Sequence, residues 1–342
     1  MTDSVLDTPL TRDLGIQVPI IGGAMYPCSN PELVAAVSAA GGIGVLQPVS
    51  LTYVFGHEFR EGVRMIRRLA GGKPVGMNAL IERSSRKYHE RMVQWVNVAL
   101  EEGVTFFVTS LGNPRWVVEA AHGAGARVYH DVTERKWARK AFDSGVAGLI
   151  AVNERAGGHA GPLSAAALLD QVSDLGLPVV CAGGIATAND FSRALALGYA
   201  GVQVGTRFIA TDECSASPAY KQAIVEAGEA DIVLSEKVTG VPLAVLRTPY
   251  VEAMGTRVGP LGRRLLRGRR TRHWMRTLFA VRSGIRLARA NRSVSPRRQF
   301  WQAGKSVEGV DSVEPVSAIV RRFAAAVSPA PVAERFPPAP PR

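Results

Sequence analysis

Three short stretches hold the residue types best suited to chemistry. The first is Asn153-Glu154-Arg155-Ala156-Gly157-Gly158-His159-Ala160-Gly161. Glycines let backbone come close to a ligand, and an imidazole that titrates near neutrality can take or give a proton beside it. A tight turn with a surface histidine has the same composition, so the loop must be judged by its surroundings. The second and third stretches are Ala182-Gly183-Gly184 and Gly205-Thr206. Glycines that lead into a helix N-terminus offer backbone N–H groups and a favourable dipole to a phosphate. Each is also an ordinary turn when taken alone. Gly22-Gly23-Ala24-Met25 is a run that admits a flat ring, and Asn78 is an amide able to pair with ring or chain oxygens.

The elements that must position these residues follow a regular alternation. Apolar runs at 20–21, 43–46, 75–78, 106–109, 127–130, 147–152, 178–181 and 201–204 read as strands. Amphipathic stretches at 31–40, 58–69, 85–101, 114–122, 134–144, 164–175, 187–197 and 218–227 read as the helices between them. Asn30 before Pro31, Asn113 before Pro114, and Thr187 with Asp190 have the types expected at helix starts. Gly71, Gly103, Gly145 and Gly198 fall where helices should end. Eight strand–helix units predict an α/β fold of the (β/α)8, or TIM, barrel type; a doubly wound sheet is the alternative. In such a barrel the ligand lies at the C-terminal ends of the strands. The glycine loop with His159 leaves the sixth strand there, and the two glycine turns leave the seventh and eighth. Glycine turns at those two positions form a phosphate cradle, which points to a phosphorylated cofactor.

Other chemistries lack their motifs. The chain has no G-x-x-x-x-G-K-[ST], no G-x-G-x-x-G opening a βαβ unit, no H-E-x-x-H and no G-x-S-x-G. No metal site is expected. His57, His89, His122 and His273 default to solvated or capping roles. Cys28, Cys181 and Cys214 are odd in number and widely spaced, which predicts free thiols and a cytoplasmic protein. The acidic start Met1–Asp7 has no apolar core of a signal peptide, and no stretch approaches about 18 uninterrupted apolar residues.

Taken in order, the motifs resemble those of the nitronate monooxygenase family. They are Pro19–Met25, Ala39–Gly44, Gly76–Asn78, Ala156–Gly161, Ala182–Ile185, Gly205–Phe208 and Trp301–Gly304, and the resemblance covers about 14–327. It implies FMN, with its phosphate at Ala182, Gly183 and Gly184 and at Gly205 and Thr206. It implies that the ring lies against Gly23, Ala24 and Met25, with Asn78 and Gln203 as polar contacts. It also implies that His159 is the catalytic acid or base. The implied reaction is oxidation of a nitronate by O2. The alternative on the same barrel is an NAD(P)H-dependent reductase of enoyl-thioesters, CoA esters or quinones. Arg155 stands where many relatives carry an acidic residue, and Lys305 replaces a common glutamine, so the charge beside the base is reversed. The expected partner is a small molecule, a nitronate or an acyl-CoA-like compound; a homodimer is left open.

The net charge of +12 is local. Between Gly255 and Phe300 there are 14 Arg and no Lys, Asp or Glu, so 12 − 14 leaves −2 for everything else. Without a recognition motif this charge does not predict nucleic-acid binding. The arginines, mixed with Leu, Trp and Phe, read as a lid for an anionic substrate, as a peripheral membrane helix, or as a solvated basic face. The expected organisation is a barrel domain of 14–246 plus 299–327, an Arg-rich helical insert of 255–298, and a Pro-rich disordered tail of 328–342.

Overall fold

All eight apolar runs are strands in the computed structural model, which describes residues 5–82, 85–237, 241–257 and 300–327. They are β1 (Ile20–Gly22), β2 (Ile43–Leu46), β3 (Val75–Ile81), β4 (Phe106–Leu111), β5 (Arg127–Val132), β6 (Gly148–Val152), β7 (Val179–Ala182) and β8 (Gly201–Val204). Each pairs in parallel with the next, and β8 closes on β1 with Ile20 opposite Val202 and Gly22 opposite Val204. The barrel is therefore complete and has no sheet edge.

Side chains alternate across the barrel wall, as strand geometry requires. Ile21, Ile43, Val45, Phe106, Val108, Tyr129, Ile150, Val180 and Ala182 belong to the inner cluster. Their neighbours Ile20, Met77, Phe107, Val128, Leu149, Cys181 and Val202 belong to the layer under the helices. An N-terminal helix, Pro9–Leu14, was not expected. Its Leu10 and Leu14 join the inner cluster, and Tyr129 donates a hydrogen bond to Asp13 at 2.9 Å. This helix plugs the end of the barrel where the strands begin, so the inner wall opens toward its C-terminal face.

Thr187 and Asp190 form a reciprocal capping box, and Asn113 accepts from the Arg115 amide at 2.9 Å. Asn30 departs from its expected role. It holds the cap position without a side-chain cap bond, donating instead to the Glu213 carbonyl at 2.8 Å and accepting from the Ser215 amide at 2.9 Å.

The eighth helix of the ring is also reassigned. The helix Pro218–Glu226 was expected there, but the place between Ala188–Ala196 and Pro31–Ala39 is filled by the last helix, Val316–Val327. Phe323 stacks on Phe191 with centroids 5.5 Å apart. Arg207, 1% exposed, fastens this return: it donates to the carbonyls of Ala210 at 3.1 Å and Ser312 at 3.0 Å and pairs with Glu314.

Between β8 and that helix lies a small antiparallel sheet of β9 (Ile232–Ser235) and β10 (Leu243–Leu246). Residues 258–298 of the Arg-rich stretch, with its lid, membrane and solvated-face readings, and the tail 328–342 lie outside the described residues. Among the described residues no helix is long and apolar enough to cross a membrane.

Candidate active site

The upper layer of the inner wall is where the apolar core gives way to polar groups. Asp131 shares the inner face of β5 with Tyr129, and Asn78 on β3 is opposite Val108, an inner residue. Gln203 on β8 sits opposite Ile21 and Ala182, both inner residues. Two buried oxygens of this layer have no hydrogen-bond partner among the described residues, Asp131 Oδ1 and Gln203 Oε1. Buried polar atoms in folded proteins are normally satisfied, so orphans facing a barrel mouth mark a place for a ligand. Burial raises the Asp131 carboxyl to about 7.

The neighbouring residue faces the other way. His130 Nδ1 lies 2.8 Å from Thr109 Oγ1 in the layer under the helices, 4% exposed, and burial lowers it to about 4. The His130–Asp131 exit of β5 therefore contributes its carboxyl, and not its imidazole, to the mouth.

Beside Gln203, the first loop folds close. The Gly23 amide donates to the Val204 carbonyl at 2.9 Å, and a Cβ on Gly23 would lie 3.2 Å from Gln203 Cγ. The Met25 amide donates to Ser29 Oγ at 2.8 Å, which turns Ala24 and Met25 toward Gly205. A Cβ on Gly205 would lie 3.6 Å from Met25 Sδ.

Asn153, at the exit of β6, organises the rest, and its role was not read from the sequence. Its side chain is 1% exposed. Nδ2 donates to the Gly183 carbonyl at 2.9 Å, and Oδ1 accepts from the Arg155 amide at 2.8 Å. The His159 loop is thereby tied to the Gly183–Gly184 turn. Both glycines need their freedom: Gly183 has φ +113 and Gly184 φ +79. A Cβ on Gly183 would lie 2.5 Å from Asn153 Oδ1 and 2.6 Å from the Ala156 amide. Composition signals for Asn153 existed, since an amide ends the β6 run, but nothing local said what it would hold.

The expected help from helix dipoles is reduced at β7. Asp190 Oδ2 accepts from the amides of Ala186 at 3.1 Å and Thr187 at 2.9 Å, so the start of that helix already carries a carboxylate. The helix after Gly205 is a single turn, Thr206–Ile209. The Thr206 hydroxyl accepts from the Gly304 amide at 2.9 Å. Any anion at the two turns would rely on glycine backbone more than on helix ends.

His159 is held from two sides. The Ala244 amide of β10 donates to the Gly158 carbonyl at 2.8 Å, and the Leu246 amide donates to the Trp301 carbonyl at 2.8 Å. A Cβ on Gly304 would lie 2.5 Å from the Gly157 amide, so the two loops pack backbone to backbone. Trp301 stacks on Tyr220, with centroids 5.2 Å apart and planes 6° apart, and Tyr220 donates to the Gln302 carbonyl. The late Trp301–Gly304 motif is thus a brace for the His159 loop. His159 itself is exposed, yet the surrounding loops exclude enough water to lower its pKa from 6.5 by desolvation. That favours the neutral imidazole, the form that accepts a proton.

The other expected features are elsewhere. His89 packs edge-on against Trp116 at 5.3 Å, far along the chain from the cradle turns, and His273 is outside the described residues. Cys28, Cys181 and Cys214 are buried, and none is in a disulfide. Among the described residues no cluster of His, Cys, Asp or Glu could hold a metal.

Comparison with known proteins shows the family and the fold. The family model described as nitronate monooxygenase matches residues 7–325. A (3aS,4S,5R,7aS)-5-hydroxy-7a-methyl-1-oxo-octahydro-1H-indene-4-carboxyl-CoA dehydrogenase of Rhodococcus jostii is 31% identical over 252 residues, 73% of this chain and 69% of that protein. A nitronate monooxygenase of Pseudomonas aeruginosa is 30% identical, over 63% of this chain and 72% of its own. The solved structure of FabK from Thermotoga maritima superposes with a TM-score of 0.77 at 28% identity, covering 94% of this chain and 96% of the other.

Proposed function

The chain belongs to the nitronate monooxygenase family and is an oxidoreductase, and from that premise we propose that it uses FMN and moves a substrate proton at His159. One observation carries the reading. The loop bearing His159 is hydrogen-bonded through Asn153 to the glycine turn that would take the cofactor phosphate. Base and cofactor positions are thereby set by one side chain.

The residues fit the cofactor. At Gly183 and Gly184 the turn packs so closely on Asn153, Ala156 and Arg155 that a Cβ would collide with them, so only glycine backbone forms it. Gln203 Oε1 is a buried acceptor in want of a donor, as the N–H edge of an isoalloxazine would provide. Ala182, Gly183, Gly184, Gly205 and Thr206 would hold the phosphate, and Gly23, Ala24, Met25, Asn78 and Gln203 the ring. When bound, FMN supplies the electron-accepting chemistry. The chain's own contribution is proton handling and position. Neutral His159 takes an acidic proton from the carbon beside a nitro group, leaving the nitronate, or from the carbon beside a thioester carbonyl in the second reading, and the brace of β10 and Trp301–Gly304 fixes the loop while it does so.

The reading favoured by the family is oxidation of a nitronate with O2. A second reading, a dehydrogenase or NAD(P)H-dependent reductase acting on a CoA thioester, is favoured by the CoA-linked relative and by the cations Arg155 and Lys305 beside the loop. Anaerobic reduction separates them. Bleaching of the bound flavin by propyl nitronate supports the first; bleaching by NAD(P)H alone sinks it and supports the second. The visible spectrum of the purified chain tests the cofactor itself. His159→Ala is expected to keep the yellow colour and lose most turnover; unchanged turnover removes His159 from the reaction.

A further inference from the structure

Arg155 lies across the glycine turn. A Cβ on Gly184 would be 3.0 Å from both Nε and Cδ of Arg155, so the side chain occupies the space that the missing Cβ leaves. The guanidinium is held in place from its far end. Nη1 pairs with Glu229 at 2.6 Å, Nη2 reaches the Lys305 carbonyl at 3.5 Å, and the Lys305 amide donates to the Arg155 carbonyl at 3.0 Å. The Nε–H makes no hydrogen bond among the described residues.

Glu229 also takes Lys305 Nζ at 2.9 Å, so Arg155 and Lys305 share one carboxylate. Surface ion pairs contribute little to stability on their own. The group is placed where a cation would otherwise be lacking. Asp190 already occupies the amides of Ala186 and Thr187 that follow the turn, so the helix end beyond Gly184 is not free for an anion. An arginine whose Nε–H is unused, aimed by Glu229 and lying on Gly184, supplies the charge-assisted donor which that helix end does not.

We propose that Arg155 is a phosphate-binding residue: its Nε–H, steadied by Glu229, binds the phosphate monoester seated at Gly183–Gly184. The chain then prefers FMN to riboflavin through a side chain as well as through backbone. This inference rests on the FMN reading above.

The experiment is a titration of the full flavin-free chain with FMN and with riboflavin, followed by flavin fluorescence. The readout is the ratio of the two dissociation constants. Arg155→Ala is expected to weaken FMN binding about tenfold or more, the worth of a hydrogen bond to a charged group, and to leave riboflavin binding unchanged. Arg155→Lys keeps the charge and lacks the Nε–H, and is expected to lose part of the preference; it also serves as the readout if the alanine variant does not fold. A wild-type preference for FMN that both variants retain in full overturns the inference and leaves the FMN reading standing. A wild-type chain that binds neither flavin overturns both.

Discussion

Asn153 Nδ2 donates to the Gly183 carbonyl across 2.9 Å, and that bond ties the exit of β6 to the exit of β7. The same amide accepts from Arg155 N at 2.8 Å with its Oδ1. Removing it strands the part-buried Arg155 amide and Gly183 carbonyl, each costing up to about 1–3 kcal/mol. Asn153→Ala is therefore expected to lower the melting temperature of the flavin-free chain and to weaken flavin binding. Asn153→Asp keeps the acceptor but sets a carboxylate against the Gly183 carbonyl, and should fall below wild type on both counts. Differential scanning fluorimetry with a flavin titration checks this; an alanine variant that melts and binds like wild type would refute the coupling.

The two glycine turns should respond differently to a methyl group. Gly183 has φ +113, and its Cβ would meet backbone at 2.6 Å, so nothing nearby can yield. Gly183→Ala is expected to cost about 1–3 kcal/mol from the backbone conformation alone, with more from the clash. Gly205 has φ −114, and its Cβ would find only Met25 Sδ at 3.6 Å. Gly205→Ala should fold as well as wild type and lose flavin affinity, because the methyl group enters the cradle. Equal melting temperatures for the two variants would contradict this geometry.

The barrel was legible because its signals are local. All eight strands are short apolar runs with glycine or polar ends, and each adopts the expected span within a few residues. The tight turn at Gly183 and Gly184 was legible because glycine alone adopts those φ values readily. What was not legible is what depends on distance along the chain. The eighth ring helix is 316–327 and not 218–227, because Arg207 and Phe191 select it across a hundred residues. Asn153 read as the first residue of the His159 loop, with nothing local to say what it would hold, and the inward face of Asp131 follows only from strand alternation in the closed barrel.

The inward carboxyl of Asp131 makes a prediction with a definite sign. In the unfolded chain an aspartate titrates at 3.8, and burial raises Asp131 to about 7 in the fold. The folded state thus holds the proton more tightly, and stability is lost as pH rises between those two values, with no further loss above the upper one. Asp131→Asn carries no such penalty. Its melting temperature should match or trail wild type near pH 4, gain on it steadily toward pH 7, and keep a constant lead beyond. Thermal melts of the flavin-free proteins across this range provide the check, and a difference independent of pH would mean that Asp131 is solvated in the fold.

Glu314 governs whether the last helix closes the ring. It pairs with Arg207, whose side chain is 1% exposed, and with Arg322 at 2.7 Å. Arg322 and the nearby Arg207 hold its carboxyl at about 2, below the ordinary 4.5. A depressed acid contributes stability that is present above 4.5 and lost as pH falls toward 2. Glu314→Ala leaves the Arg207 guanidinium buried without its counter-charge, a loss of about 3–5 kcal/mol when one partner of a buried pair is removed. The loss should be greatest for Glu314→Ala at neutral pH and shrink on acidification, because wild type then protonates the same carboxyl. Arg322→Ala, on the exposed side of Glu314, should cost far less, about 1 kcal/mol or under. Chemical denaturation at pH 7 and pH 3 measures both. If the two variants are equally destabilised at pH 7, the buried arm of the pair does not hold Val316–Val327 against the barrel, and Phe323 on Phe191 must carry the closure instead.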